Sequence, residues 1–309
     1  MSSEMQASKQ AVMQAVAVWE SRCALGEGTV WNVVDGSLYF VDIKGREVLA
    51  YTPATGAQRR WRVPQMIGWV VPRAGGGWLA GFEQGVAALT LPAEPGRPGS
   101  APPIEWLHRL HAEGSPLRLN DAKADAKGRL WFGSMNNVDD SQPEGVFYRW
   151  AAGSAPVPVD EGYCVTNGPA FAPDGRTLYH TDSARRCVYA FDVSADGELS
   201  NKRVWIRFED DEGFPDGMCT DAEGCLWIAH WGGSRVTRRD AQGREIARIE
   251  IPARQVTNVA FGGESLRDLY VTTARTGLGD DVLDAAPLTG ALFVVRGAGR
   301  GVLPGAFAG

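Results

Sequence analysis

The chain predicts an all-β fold, a six-bladed β-propeller, on three observations. First, helical periodicity is scarce beyond the first residues. Short runs of β-branched and aromatic residues dominate, broken by Gly, Pro, Asp and Asn clusters. Second, an apolar-aromatic strand core recurs six times: Leu38-Tyr39-Phe40, Trp78-Leu79-Ala80, Leu130-Trp131-Phe132, Leu178-Tyr179-His180, Leu226-Trp227-Ile228 and Leu269-Tyr270-Val271. Successive copies start 40, 52, 48, 48 and 43 residues apart, a period that suits one four-stranded blade per copy. Third, turns bracket the copies. Asp35-Gly36, Lys127-Gly128, Asp174-Gly175 and Glu223-Gly224 precede them, and Gly45-Arg46 or Ala184-Arg185-Arg186 lead into a second strand. A pair of β-sandwiches would explain neither the even period nor aromatic residues at one phase of it.

Along the chain, Met1 to Val16 has polar residues throughout and lacks the apolar centre of a secretion signal. Residues 1–18 are expected to be a frayed extension, residues 19–296 the propeller, and residues 297–309 a loose tail. Gly297-Ala298-Gly299-Arg300-Gly301 resembles a nucleotide loop only superficially, because it follows the last strand and opens no helix. Three insertions, Pro92–Pro116, Asn136–Glu144 and the acidic Leu278–Pro287, interrupt the repeats and fit loops that shape a mouth.

The 309 residues are 44% hydrophobic and 22% charged, enough for a large core. A net charge of -6 without a Lys/Arg block argues against nucleic acid as a partner. No apolar run is long enough to span a bilayer, so no membrane partner is expected. Five cysteines without a C-x-x-C pair fit free thiols in a reducing cytoplasm, the expected location. A monomer or weak homo-oligomer is the expected state.

The chemistry lies just before the strand cores. Leu25-Gly26-Glu27-Gly28, Arg118-Leu119-Asn120-Asp121, Thr166-Asn167-Gly168-Pro169, Pro215-Asp216-Gly217 and Thr257-Asn258 occupy one phase, and the second repeat has the apolar Gln65–Trp69 there. In a propeller these points converge on the central channel, so Glu27, Asn120, Asn167, Asp216 and Asn258 would face one another. Each taken singly makes a turn; five at one phase are better read as a site. Asp216 sits on a kink between Pro215, which fixes its own φ, and Gly217, which permits unusual φ/ψ. Carboxylate and amide oxygens without sulfur or imidazole are hard ligands that suit Ca²⁺, Mg²⁺ or Mn²⁺.

These motifs, with Gly128-Arg129-Leu130-Trp131-Phe132-Gly133-Ser134-Met135, Tyr179-x-Thr181-Asp182-Ser183 and Val256-Thr257-x-x-x-Phe261-Gly262-Gly263, resemble the regucalcin (senescence marker protein), gluconolactonase and luciferin-regenerating enzyme superfamily, in particular its bacterial sugar lactonases. The resemblance covers Trp19 to Val295. It implies a six-bladed propeller with one divalent ion in the channel, Ca²⁺ first and Zn²⁺, Mn²⁺, Mg²⁺ or Fe²⁺ as alternatives. It implies Glu27, Asn167 and Asp216 as metal ligands, Arg118 and Asn120 as substrate contacts, and Asp216 as general base. One departure concerns the loop after Gly133-Ser134-Met135. Animal members carry an acidic pair there, one acid of which touches substrate; here Asn136-Asn137-Val138-Asp139 follow.

The function so implied is metal-dependent hydrolysis of a sugar-acid lactone, such as gluconolactone or a pentonolactone, to the aldonic acid. A non-catalytic Ca²⁺-binding propeller and an esterase or phosphotriesterase-like hydrolase are the alternatives. Other hydrolase designs lack support, since neither a G-x-S-x-G elbow nor H-E-x-x-H is present. His108 and His111 fall in the Pro-rich loop region, and His180 and His230 at strand ends, where a structural hydrogen bond is the expectation for His230.

Overall fold

The computed structural model describes residues 13–95 and 101–309. The described residues form six four-stranded antiparallel sheets, five of them running in plain sequence order from the inner to the outer strand. The inner strands of blades 1 to 6 are Gly26–Asn32, Ile67–Pro72, Leu117–Ala124, Thr166–Phe171, Phe214–Thr220 and Gln255–Gly262. They contact their neighbours around the ring, blade 6 returning to blade 1. This is the six-bladed β-propeller. No helix among the described residues is long and apolar enough to cross a membrane.

The repeat has a visible cause in two blades. The turn after the inner strand is built on an aspartate that also fixes the aromatic residue of the strand core. Asp221 Oδ1 accepts hydrogen bonds from the Glu223 and Cys225 amides, and its Oδ2 accepts from Trp227 Nε1 at 2.9 Å. Asp125 does the same for Lys127, Arg129 and Trp131. One carboxylate thus satisfies turn amides and a buried indole N–H that would otherwise be costly to desolvate. The core aromatics then pack across blade seams: Tyr39 on Trp78 at 4.2 Å, Trp131 on Phe171 at 5.9 Å, Trp227 on Phe261 at 5.7 Å and Tyr270 on Trp31 at 6.1 Å.

Both chain ends correct the sequence reading. The extension expected to fray through residue 18 is ordered at its end. Ala15–Trp19 forms the outer strand of blade 6, pairing antiparallel with Leu292–Val295 in the register Ala15↔Val295 and Val16↔Val294. Without it the last blade would expose a row of unpaired N–H and C=O groups. The remainder of that expected extension, residues 1–12, lies outside the described residues.

The tail is pinned, not loose. Gly301 bridges Asp221, the Ala222 amide donates to Arg300, Phe307 exchanges backbone hydrogen bonds with Pro72 and Ala74, and the Ala308 amide donates to Gly128. Phe307 is buried against Trp150 at 4.4 Å. The tail therefore crosses from blade 5 to blades 2 and 3, over the end of the channel where the inner strands finish. The acidic insertion contains one short helix, Asp280–Ala285. All five cysteines are free thiols.

Candidate active site

Every inner strand breaks its pairing register at the same phase: between Glu27 and Val30, Ile67 and Trp69, Leu119 and Ala122, Asn167 and Ala170, Pro215 and Met218, and Val256 and Asn258. A bulge leaves residues unpaired and re-aims their side chains, here at the start of each strand. Gly217 is required for room, not for an unusual φ as the sequence suggested. It is absent from the positive-φ glycines, but a Cβ on it would lie 2.2 Å from Asn258 Nδ2. In blade 2, Gly68 lies at this phase, where a Cβ would meet Leu119 O at 2.6 Å. At this phase blade 2 adds no polar side chain and lets blade 3 approach.

Glu27, Asn120, Asn167, Asp216 and Asn258 are all buried and converge as expected. Glu27 Oε2 accepts from the Gly28 amide and from Asn258 Nδ2, each at 2.9 Å. Asn258 Nδ2 also donates to Asp121 Oδ2 at 3.0 Å, and its Oδ1 accepts from Thr29 Oγ1 at 2.7 Å. Asn258 is therefore a brace, its amide nitrogen spent on Glu27 and Asp121 and its oxygen holding Thr29. Asn167 Nδ2 donates to Ser183 Oγ, which donates to Pro215 O at 2.6 Å. The arrangement fixes which way the Asn167 amide faces and ties it to the strand carrying Asp216. Asp216 Oδ1 is buried and has no hydrogen-bond partner among the described residues.

Arg118 is gripped on one side. Its Nε donates to Asn137 Oδ1 at 2.8 Å, and Nη1 to Leu119 O and Asn120 Oδ1 at 3.1 and 2.5 Å. Nη2 has no partner among the described residues. Asn120 Nδ2 donates to Thr166 O and to Asn167 Oδ1 at 2.5 and 2.9 Å, so Asn120 links Arg118 to Asn167.

Burial, then the nearby Asp121 charge, pushes the Glu27 carboxyl up to about 8. Asp216 is held well above the usual carboxylate range by burial, and then by Glu27 and Asp121. Asp121 is raised by burial, with Lys123 the largest opposing influence. Burial lowers Arg118 to about 10, against the pull of Glu27, Asp216 and Glu83. Three carboxyls share a dry space with one guanidinium, a balance that favours an additional cation.

The residues fit such a cation. Glu27, Asn167 and Asp216 offer oxygen only, two of them are carboxylates, and Asp216 Oδ1 has no other partner among the described residues. Among the described residues no three His, Cys, Asp or Glu side chains form a metal cluster, so an amide oxygen is needed to complete the set. Sequence reasoning assigned no role to Asp121, Ser183 or Asn137. The first two stood inside quoted motifs, and Asn258, which Asp121 holds, and Pro215, which Ser183 reaches, belong to other blades. His230 is structural, with Nδ1 on Glu212 O and Nε2 on Thr237 Oγ1, each at 2.8 Å.

Fold and centre together define a propeller with a buried carboxylate–amide cluster at one end of its channel. The chain belongs to the SMP-30/Gluconolactonase/LRE-like family, whose region matches residues 25–275. It is 34% identical over 297 residues to regucalcin of Danio rerio, covering 92% of this chain and 95% of that protein. It is 33% identical over 289 residues to pentonolactonase XacC of Haloferax volcanii, covering 91% and 94%. A solved structure described as a calcium-binding protein, regucalcin, from Agrobacterium tumefaciens str. C58 superposes with a TM-score of 0.88 at 26% identity, covering 96% of this chain and 97% of that one.

Proposed function

We propose that the protein hydrolyses a sugar-acid lactone to the aldonic acid, with a divalent cation on Glu27, Asn167 and Asp216. The observation that carries this reading is the buried, unpartnered Asp216 Oδ1 beside Asn167 and Glu27, in a centre that also holds a guanidinium with one free arm. The lactonase relative supports the reaction class, and the calcium-binding description of the solved relative supports the cation.

A hard divalent ion held by these three residues would polarise an ester carbonyl and acidify a water. The chain's own groups supply the rest. Asp216 receives the proton of the attacking water at a carboxylate oxygen; burial raises its proton affinity, and ligation to the cation would lower it. Arg118 Nη2 donates to a ring hydroxyl or to the oxygen on which charge develops. Asn120 offers substrate only the second lone pair of Oδ1, the first being taken by Arg118. It binds and orients at once. Asn137 holds Arg118 from the loop that replaces the acidic pair of animal members.

Acid release from a panel of aldonolactones, measured against a paraoxon-type ester, tests the reading. Turnover of a gluconolactone or pentonolactone at least about tenfold above the ester, equivalent to roughly 1.4 kcal/mol in the barrier, is expected. Turnover of the ester alone would replace it with a phosphotriesterase-like function, and cation binding without any turnover with a non-catalytic one.

A further inference from the structure

Three residues beyond each site position, the inner strands carry Val30, Val71, Lys123, Ala170, Cys219 and Phe261. All six line a cavity of about 750 Å³ at the far end of the channel, below the Asp121–Asn258 brace. The tail roofs it: Val302, Leu303 and Pro304 line it from outside, between the backbone anchors at Gly301 and Phe307. The volume lies within the usual range of small-molecule sites, which are mostly apolar with a few polar groups.

Lys123 is the one charged member of this ring. It is half-buried, and among the described residues its ammonium has neither an ion pair nor a hydrogen bond. Of the other polar groups that line the cavity, Asp125 pairs with Arg129 at 2.7 Å and Asp192 with Arg203 at 2.8 Å, while Lys127, Asp174 and Arg176 are exposed at its outer side, away from the inner ring. Thr29 Oγ1 donates to Asn258, Thr220 Oγ1 donates to Phe171 O, and burial keeps the Cys219 thiol protonated by raising it to about 12. At the inner ring a small hydrated anion would find one donor and an apolar wall, and the Lys123 ammonium, whose charge acts on Asp121, makes no direct ion pair there among the described residues. Both deficits are met by a ligand with one anionic head and an apolar body.

We propose that this back chamber binds an amphipathic organic monocarboxylate, its head on Lys123 Nζ and its body within the apolar ring under the tail. The site is separate from the lactone centre, since the Asp121–Asn258 brace lies between them. The rival account is that Lys123 serves only to balance the buried Asp121.

The test is calorimetric titration of the full chain with decanoate, decan-1-ol, decylammonium and acetate. Decanoate is expected to saturate one site, with the alcohol and acetate at least about tenfold weaker, the equivalent of a single 1.4 kcal/mol interaction, and with decylammonium not binding. Lys123→Met should bring decanoate down to the affinity of the alcohol and leave the alcohol unchanged. Lys123→Gln serves the same purpose if that variant does not fold. Ala170→Phe, which fills the ring, should abolish both, while Arg118→Ala should change neither. Equal binding of decanoate and decanol, decanoate binding unchanged without Lys123, acetate binding as tightly as decanoate, or no saturable binding to the wild type would each overturn the proposal.

Discussion

Arg118 shows how one side chain is divided between protein and substrate. Asn137, Leu119 and Asn120 hold Nε and Nη1, which leaves Nη2 as the working arm. Lysine would keep the charge but lose the planar fork, so Arg118→Lys separates electrostatics from geometry. The expected outcome is a fall of roughly 10- to 100-fold in kcat/KM, the loss of a charge-assisted hydrogen bond of about 1.5–3 kcal/mol. The melting temperature should change by no more than a few degrees. Unfolding in step with the activity loss would make Arg118 a structural ion-pair member. At this scale repeat phase alone made Glu27, Asn120, Asn167, Asp216 and Asn258 legible as a group, whereas Arg118 was legible only through the family resemblance. The sequence was silent on Ser183 and Asp121, whose work lies in hydrogen bonds to residues 16 and 137 positions away. Spacing within a motif does not encode such contacts.

Strands and their seams decide a second set of properties. Trp19 ends the strand that completes blade 6 and packs edge-on against Phe40 of blade 1 at 5.6 Å, beneath the Arg60 guanidinium. Trp19→Ala should destabilise the fold by about 3 kcal/mol, at the lower end for a buried aromatic truncation, measured by urea unfolding. A loss under about 1 kcal/mol, the scale of one ordinary surface contact, would mean that this strand does not secure the ring. The closing strand was missed because a five-residue run at a polar terminus carries no repeat signal. Its partner, Leu292–Val295, lies at the other end of the chain.

His180, in the second strand of blade 4, gives a pH dependence. It stacks on Phe147 at 3.8 Å, neither ring nitrogen has a partner among the described residues, and burial holds its pKa well below the ordinary 6.5. The folded-state pKa is depressed, so the stability this residue contributes is complete above pH 6.5 and is lost as pH falls, when the unfolded chain takes a proton that the folded one refuses. Each unit below that point removes about 1.4 kcal/mol for this residue. Urea unfolding of wild type and His180→Phe at pH 7, 6 and 5 should show the variant losing less stability with acid. Parallel curves would place a proton on His180 in the folded state.

The whole molecule has two unlike ends. Bulges aim carboxylates and amides into the channel where the inner strands begin, and small or apolar residues widen it where they finish, under the tail. The six-fold repeat made the architecture legible in the sequence, since each blade reuses the same aromatic phase. The tail crossing was not legible, because Phe307 and Gly301 dock on turns of blades far away in the chain. The central claim is that Asp216 both holds the cation and accepts the proton, two roles that compete because ligation lowers a carboxylate's basicity. Lactonase rate against cation concentration, with bound metal determined alongside, separates them in Asp216→Asn and Asn167→Ala. Asp216→Asn keeps a ligand oxygen but no basic site. It should fold, bind the cation more weakly and remain nearly inactive at saturation, while Asn167→Ala recovers part of its activity as cation is added. Restoration of Asp216→Asn to near the wild-type rate at saturating cation would contradict the account and leave Asp216 a ligand alone.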